Sequence, residues 1–384
     1  MNWELNIRKA TAHPIVMELV SPFQTSFDVQ HLRGGVIVRV ETENGAIGWG
    51  EVTADLRPNY AYETTQTALH ILNEFLLPNL PTIMTPDSFF DSWLKSVRGH
   101  PMAKHGLLSA IFSAVAAEQK IPLVDFVKQL AGESSRKEAV EVGVSIGIQP
   151  SIDATLAAIQ DYLDDGYNRV KLKIKPGWDV DMVREVRKTY PDLVLMVDAN
   201  SAYTIDDSPL LQQLDQFNLL MIEQPFGYQD IYQHSLLELG TPICLDESLH
   251  TLSDVQAAYK LGACDIVNLK PQRVGGLLES VAIYNFCKEV GLTMWVGGML
   301  ETGIGRSVSM ALAALPQITL PSDLSETKRY YRPDLADPPY SLIAGTSTIP
   351  VSSEIGLGVT VDRGRLLEAS TRYANITMPS ESNS

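Results

Sequence analysis

The segment Val170-Lys171-Leu172-Lys173-Ile174-Lys175 is an apolar strand with two lysines on one side, and four segments of the same kind follow it. They are Met196-Val197-Asp198-Ala199-Asn200, Met221-Ile222-Glu223-Gln224-Pro225, Cys244-Leu245-Asp246-Glu247-Ser248 and Val267-Asn268-Leu269-Lys270-Pro271. Each is a short apolar run that ends on an ionisable side chain. The spacings are 25 residues (173 to 198), 25 (198 to 223), 23 (223 to 246) and 24 (246 to 270). That is enough chain for a strand, a crossover helix and the loops that return it to a parallel neighbour.

Outward from these segments the alternation extends to eight strand candidates, at 142–146, 170–174, 193–198, 219–223, 242–246, 265–270, 293–297 and 318–320. Amphipathic stretches such as 151–165, 179–189 and 253–261 lie between them. Such units build a parallel sheet with right-handed crossovers, closed as a barrel; an open doubly wound sheet is the rival. Upstream, 1–14 reads as a first strand, 36–41 and 47–52 as a hairpin about Glu43-Asn44-Gly45, and 62–76 and 103–119 as helices. Strands followed by helices indicate an α+β domain. The tail is proline-rich after Arg329 and strand-like over 349–361, which is expected to return to the N-terminal domain, and 379–384 is polar and expected to fray. The expected division is an α+β domain over 1–125, joined by about 330–375, and a barrel over 126–329.

Composition narrows the function. At 384 residues with 45% hydrophobic and 20% charged residues, the chain has the make-up of a globular protein of about two domains. A formal net charge of −16, without a basic run, argues against nucleic acid as a partner. Cys244, Cys264 and Cys287 are odd in number and lack CxxC spacing, so neither a disulfide framework nor a zinc cluster is expected, and a reducing cytoplasm fits. The N-terminus has no signal-peptide pattern and no apolar run approaches the length of a membrane span.

The charged strand ends carry the chemistry. For one lone aspartate, a salt bridge or a solvated strand end is the ordinary explanation. Five in succession at the end of a barrel where active sites lie point to one shared site. Asp198, Glu223 and Asp246 make an all-oxygen set suited to a hard cation such as Mg²⁺. Lys171 and Lys173 are two apart, face the same side and are expected to depress each other's pKa. A general base supplies roughly 10²–10⁴-fold, less than most enzymes need, whereas a divalent cation stabilises the charge that develops when a proton leaves the carbon beside a carboxylate.

The order Lys-x-Lys, Asp, Glu, Asp, Lys resembles the enolase superfamily, and within it the muconate-lactonizing subgroup, over nearly the whole chain. A lysine or histidine base beside Mg²⁺ is known of that superfamily rather than read from this sequence. The resemblance implies an α+β capping domain and a modified (β/α)₇β barrel of TIM type. It further implies Lys173 and Lys270 facing each other across the substrate, with Asp198, Glu223 and Asp246 on one Mg²⁺ or Mn²⁺ per active site. Lys171 would support a bound carboxylate, and Asn200 and Glu247 would orient metal, lysine or substrate. The histidine base of mandelate-racemase-like members has no counterpart, since no histidine follows His250.

Further motifs resemble the o-succinylbenzoate synthases and their N-succinylamino acid racemase relatives. They are Pro22-Phe23 with Thr25-Ser26-Phe27, GWGEVTADLRPNY at 48–60, GVSIGI around Ser145, KPQRVGG at 270–276 and GGMLETGIGR at 297–306. Gly298, Met299, Glu301 and Thr302 are then expected to hold a carboxylate or succinyl end, and Phe23, Thr25, Ser26 and Phe27 to form a loop that closes over substrate. Arg33 suits a second carboxylate, and Arg273 would tune Lys270 or bind substrate. Dipeptide epimerases of the subgroup carry Asp-x-Asp on the eighth strand, where this chain reads Asp323-Leu324-Ser325. The helix GLLSAIFSAVAAEQK lacks the family's Trp-Asp pair, which puts local packing in question. The expected activity is syn-dehydration of a cyclohexadiene hydroxy-dicarboxylate to o-succinylbenzoate, a step towards menaquinone, with N-acylamino acid racemisation on the same atoms as the alternative. The substrate is a small carboxylate and the enzyme a cytoplasmic homo-oligomer. A binding protein that kept the barrel and lost its chemistry would be missing a lysine or a ligand, and none is missing.

Overall fold

The structure is a computed structural model and describes residues 3–26, 28–86 and 94–377. Phe27, the first two residues of the expected first strand and the polar segment 379–384 lie outside the described residues. Strands β1 (Leu5–Gln24), β2 (Val29–Thr42), β3 (Ile47–Val52) and β4 (Ile83–Met84) form an antiparallel sheet in the order β3-β2-β1-β4. The expected hairpin is β2–β3, paired from Val36↔Val52 to Glu41↔Ile47, with Gly45 at φ 86° in its turn. Helix α1 (Thr65–Ile71) starts on a Thr64 capping box, and α2 (Pro101–Glu118) is buried over most of its surface. An all-round apolar helix needs partners on every side. The packing that the missing Trp-Asp pair put in question is supplied by Phe112, 5.3 Å from Phe126, and by Ser113 Oγ, which donates to the Trp49 carbonyl at 3.0 Å.

After α3 (Leu123–Leu130) and the short β5 (Ala139–Glu141), seven parallel strands run in sequence order: β6 (Val144–Ile146), β7 (Arg169–Lys173), β8 (Val194–Asp198), β9 (Ile222–Glu223), β10 (Ile243–Leu245), β11 (Ile266–Leu269) and β12 (Thr293–Val296). The eighth candidate closes the ring. Ile318 bridges Met294 on one side, Ser322 bridges Val142 on the other, and the Asp323 amide donates to the Val296 carbonyl at 3.0 Å. The sheet is therefore a closed (β/α)₇β barrel, and the open rival falls away. Helices α4 (Ile152–Asp164), α5 (Val180–Thr189), α6 (Leu252–Leu261), α7 (Leu277–Val290) and α8 (Gly303–Ala313) follow their strands, while only a 3₁₀ turn at His234–Leu236 separates β9 from β10.

Strand register sorts the barrel interior into layers. Lys171 pairs with Met196, Lys173 with Asp198, Asp198 with Glu223 and Glu223 with Cys244. With side chains alternating along each strand, Met196, Met221, Cys244, Ile266 and Trp295 form one buried apolar cluster. Asp198, Glu223 and Asp246 stand one inward position further along their strands, with Lys173 level with Asp198, so these charges rest on a dry floor, while Lys171 is level with Met196 and 5.0 Å from the Trp295 ring.

The tail departs from expectation. Its strand β14 (Thr348–Pro350) pairs with β5, placing Ile349 opposite Val140 with both buried, and β13 (Ala336–Asp337) pairs with β15 (Thr360–Val361). It is the helix after them, α9 (Arg363–Thr377), that lies against β1, where Arg372 donates to the Val16 carbonyl at 3.1 Å.

Backbone-to-backbone contact of α2 with β3 holds the capping sheet. A Cβ on Gly50 would stand 2.0 Å from the Gly106 carbonyl oxygen and 2.6 Å from the Ala110 nitrogen. Gly50→Ala is expected to lower the unfolding free energy by about 1–3 kcal/mol or more, read from urea melts. An unchanged midpoint would contradict this packing.

Candidate active site

Every chemically expected strand end reaches the same mouth of the barrel. Lys171 and Lys173 come from β7, Asp198 from the last position of β8, Glu223 from that of β9, Asp246 from just beyond β10 and Lys270 from just beyond β11. All six are buried. In an eight-stranded ring β7 and β11 are four places apart, so Lys173 and Lys270 approach from opposite walls.

Each charge has a partner. Lys173 Nζ donates to Asp198 Oδ2 at 2.6 Å and to Asn200 Oδ1 at 2.7 Å. Lys270 Nζ donates to Asp246 Oδ2 at 2.7 Å, and Arg273 holds the other oxygen of Asp246 from behind. Lys171 Nζ lies 3.0 Å from Glu223, 3.3 Å from Asp198 and 2.5 Å from Asp323. Burial works against its charge, but Asp323, Glu223 and Asp198 together hold its pKa well above the ordinary value. The depression expected for Lys171 is thus overturned, because three carboxylates outweigh one neighbouring cation. Asn200, at φ 43°, turns back at the strand end so that its amide nitrogen reaches Asp198 at 2.9 Å while its side chain donates to Glu247 at 3.0 Å.

The donor set fits a divalent cation. Asp198, Glu223 and Asp246 offer only oxygens, and Glu247 Oε2 is buried without a hydrogen-bond partner. Burial, and then the charge of Asp198, push the Glu223 carboxyl up to about 7, and burial with Asp246 pushes Glu247 up to about 8. Burial is the larger cause in both, and a neighbouring carboxylate adds to it. In this conformation each of the three carboxylates is turned onto a cation, and among the described residues no three Asp, Glu, His or Cys side chains are set to hold an ion.

A cavity opens above the lysines. Of the expected contacts, Phe23, Thr25, Ser145, Lys171, Lys173, Asn200, Lys270, Gly298 and Met299 line it, as does Arg33, which is 2.9 Å from Asp55. Ser145 Oγ is buried there without a partner. Other expected contacts lie elsewhere. Ser26 reaches the Asn200 carbonyl at 3.4 Å instead of the cavity, and Glu247 and Arg273 sit behind the lysines. Glu301 folds back onto the Met299 amide at 2.6 Å. Thr302 caps α8 and donates to Glu51 Oε2 at 2.6 Å, because its backbone turn points the hydroxyl at the capping domain.

Tyr60 and Asp323 were missed as site residues. Tyr60, the last residue of the GWGEVTADLRPNY motif, donates to Asp246 at 3.1 Å and places its ring 4.8 Å from Lys270 Nζ. Nothing in its local pattern marks it, since it arrives from the other domain. Asp323 enters the sequence pattern only through the absence of a second aspartate at position 325.

Comparison with known proteins agrees with this geometry. The model of the family described as Enolase C-terminal domain-like matches residues 154–365. An o-succinylbenzoate synthase of Geobacillus kaustophilus is 41% identical over 376 residues, covering 97% of this chain and 98% of that protein. An N-succinylamino acid racemase of Amycolatopsis sp is 41% identical over 355 residues, covering 90% and 92%. A solved enolase-superfamily member from Listeria innocua Clip11262 superposes with a TM-score of 0.88 at 36% identity, covering 95% and 97%. A dipeptide epimerase of Enterococcus faecalis V583, complexed with Mg and a dipeptide, shares the fold with a TM-score of 0.82 at 22% identity, covering 93% and 100%.

The Glu51–Thr302 contact yields a pH test. Burial pushes the Glu51 carboxyl up to about 7 from an ordinary 4.5, against the pull of its Thr302 and Gly305 donors. The folded state therefore binds more protons than the unfolded state between those values. The resulting stability is full below pH 4.5 and is lost as the pH rises towards 7. Melts of wild type and Glu51→Gln across this window are expected to show a steeper loss in the wild type. Parallel curves would contradict the raised pKa.

Proposed function

This chain belongs to the enolase superfamily, among the o-succinylbenzoate synthases and N-succinylamino acid racemases, and on that premise we propose that it dehydrates a cyclohexadiene hydroxy-dicarboxylate to o-succinylbenzoate. The observation that carries the reading is the pair Lys173 and Lys270, on opposite walls of one cavity above three buried carboxylates. A divalent cation, Mg²⁺ or Mn²⁺, held one per site by Asp198, Glu223 and Asp246, would supply positive charge beside the substrate carboxylate as the enolate forms.

Lys173 Nζ takes the α-proton, and the C–H electron pair moves into the carboxylate. Asp198 and Asn200, at 2.6 and 2.7 Å, fix the direction of that nitrogen. The enolate electrons then form the ring double bond and expel hydroxide from the neighbouring carbon, and Lys173 returns its proton so that water leaves. Lys270 stays charged, since burial, which opposes its charge, is outweighed by Asp246, and it stabilises the enolate. The capping domain contributes Phe23, Thr25 and Tyr60 to the wall and keeps bulk water out.

A second reading, racemisation of N-succinyl or other N-acyl amino acids, rests on the same placement, because a proton removed from one face by one lysine and delivered to the other face by its opposite inverts the carbon. The reading includes a cytoplasmic homo-oligomer. It is in keeping with three free, buried cysteines and, among the described residues, with the lack of any helix long and apolar enough to cross a membrane.

Lys173→Ala is expected to reduce kcat for both reactions by about 10²-fold or more. Lys270→Arg keeps the cation but not the base, so it should retain dehydration while losing α-proton exchange from one enantiomer only, followed by NMR in D₂O. Exchange from both enantiomers at the wild-type rate would rule out the two-base route. EDTA is expected to abolish turnover and Mg²⁺ to restore it; turnover unaffected by chelation would overturn the metal-assisted reading.

A further inference from the structure

Arg169 opens β7, two residues before Lys171 and on the same inward face. It is fully buried yet does not line the cavity. One guanidinium nitrogen donates to Asp323 Oδ1 at 2.7 Å, another to the Pro321 carbonyl at 3.0 Å, and the group lies 5.4 Å from the centre of the Trp295 ring. Gly143 leaves the space, for a Cβ there would stand 2.2 Å from the guanidinium carbon. A glycine and an aromatic ring thus house a cation that the reaction does not use.

Its partner does face the ligand. Among the described residues, Asp323 is the one carboxylate on the cavity wall, beside Arg33, Lys171, Lys173 and Lys270. Arg169 occupies one Asp323 oxygen and Lys171, at 2.5 Å, the other. Without Arg169 the charge of Asp323 would fall to Lys171 alone, which already serves Glu223 at 3.0 Å and Asp198 at 3.3 Å. An anion freed at the wall would repel a second anionic group on the ligand and attract a cationic one.

We propose that Arg169 is a positioning residue that sets the charge of the accepted ligand: by holding and neutralising Asp323 it keeps the wall cationic and selects a molecule with two carboxylates. The inference rests on the functional reading above, in which the dehydration substrate and the N-succinyl amino acids carry two carboxylates, and it names what enforces that choice.

The test is calorimetric titration of the full chain, in Mg²⁺ buffer, with o-succinylbenzoate and with its mono-carboxamide. Arg169→Met is expected to weaken the dianion about tenfold and the carboxamide by less than about threefold, with Arg169→Lys recovering most of the loss. Asp323→Asn removes the negative charge instead and is expected to bind the dianion at least as tightly as wild type. Equal weakening of both ligands by Arg169→Met, or weakening of the dianion by Asp323→Asn, would show a packing role and overturn the proposal. Should Arg169→Met not fold, the sign of the Asp323→Asn effect still decides. A wild type that binds the dianion without forming it from its hydroxy precursor would overturn the functional reading alone, while the binding data still judge Arg169.

Discussion

Charge buried on a dry floor is the constraint from which the rest of this structure follows. Lys171, Lys173, Lys270 and Arg273 are gathered with Asp198, Glu223, Asp246, Glu247 and Asp323 at one end of the barrel, Arg169 lies two residues below Lys171 on the same strand, and all ten are buried. An isolated ion so placed would cost several kcal/mol, and removing one member of a pair strands the other. Counted at their ordinary ionisation, the five cations and five carboxylates sum to zero. A divalent cation disturbs that balance by two, and a ligand with two carboxylates restores it.

The scaffold serves that inventory. Parallel register brings Lys173, Asp198 and Glu223 level across three strands, and the cluster of Met196, Met221, Cys244, Ile266 and Trp295 beneath them excludes water from below. One contact holds the capping domain together and two seal it onto the barrel. Gly50 lets α2 touch the sheet, Glu51 grips the start of α8, and Tyr60 reaches Lys270 and Asp246. Glu51 and Tyr60 lie within one short stretch, so the loop carrying Gly298 and Met299 and the lysine at β11 are both fixed by one segment of the other domain.

Much of this was legible in the sequence. Seven of the eight candidates fall within a few residues of observed strands and the eighth on the bridges at Ile318 and Ser322, because period and spacing are local properties. That Asp198, Glu223, Asp246, Lys173 and Lys270 converge on one mouth could be read for the same reason. What could not be read depends on side-chain direction across the chain. Thr302 and Glu301 sit beside Met299 in sequence yet turn towards Glu51 and the backbone. Tyr60 joins a lysine 210 residues away. Arg169 was the available miss, since the two-residue period that paired Lys171 with Lys173 also points Arg169 inward.

The balance of buried charge is tested most directly by titrating Mg²⁺ into the protein with and without saturating o-succinylbenzoate. If metal and dianion complete one neutral cluster, each favours the other, and the Mg²⁺ Kd should fall about tenfold or more when the dianion is present, with the reciprocal change for the dianion. Equal Mg²⁺ affinities in the two titrations, or weaker binding in the presence of the dianion, would contradict the account.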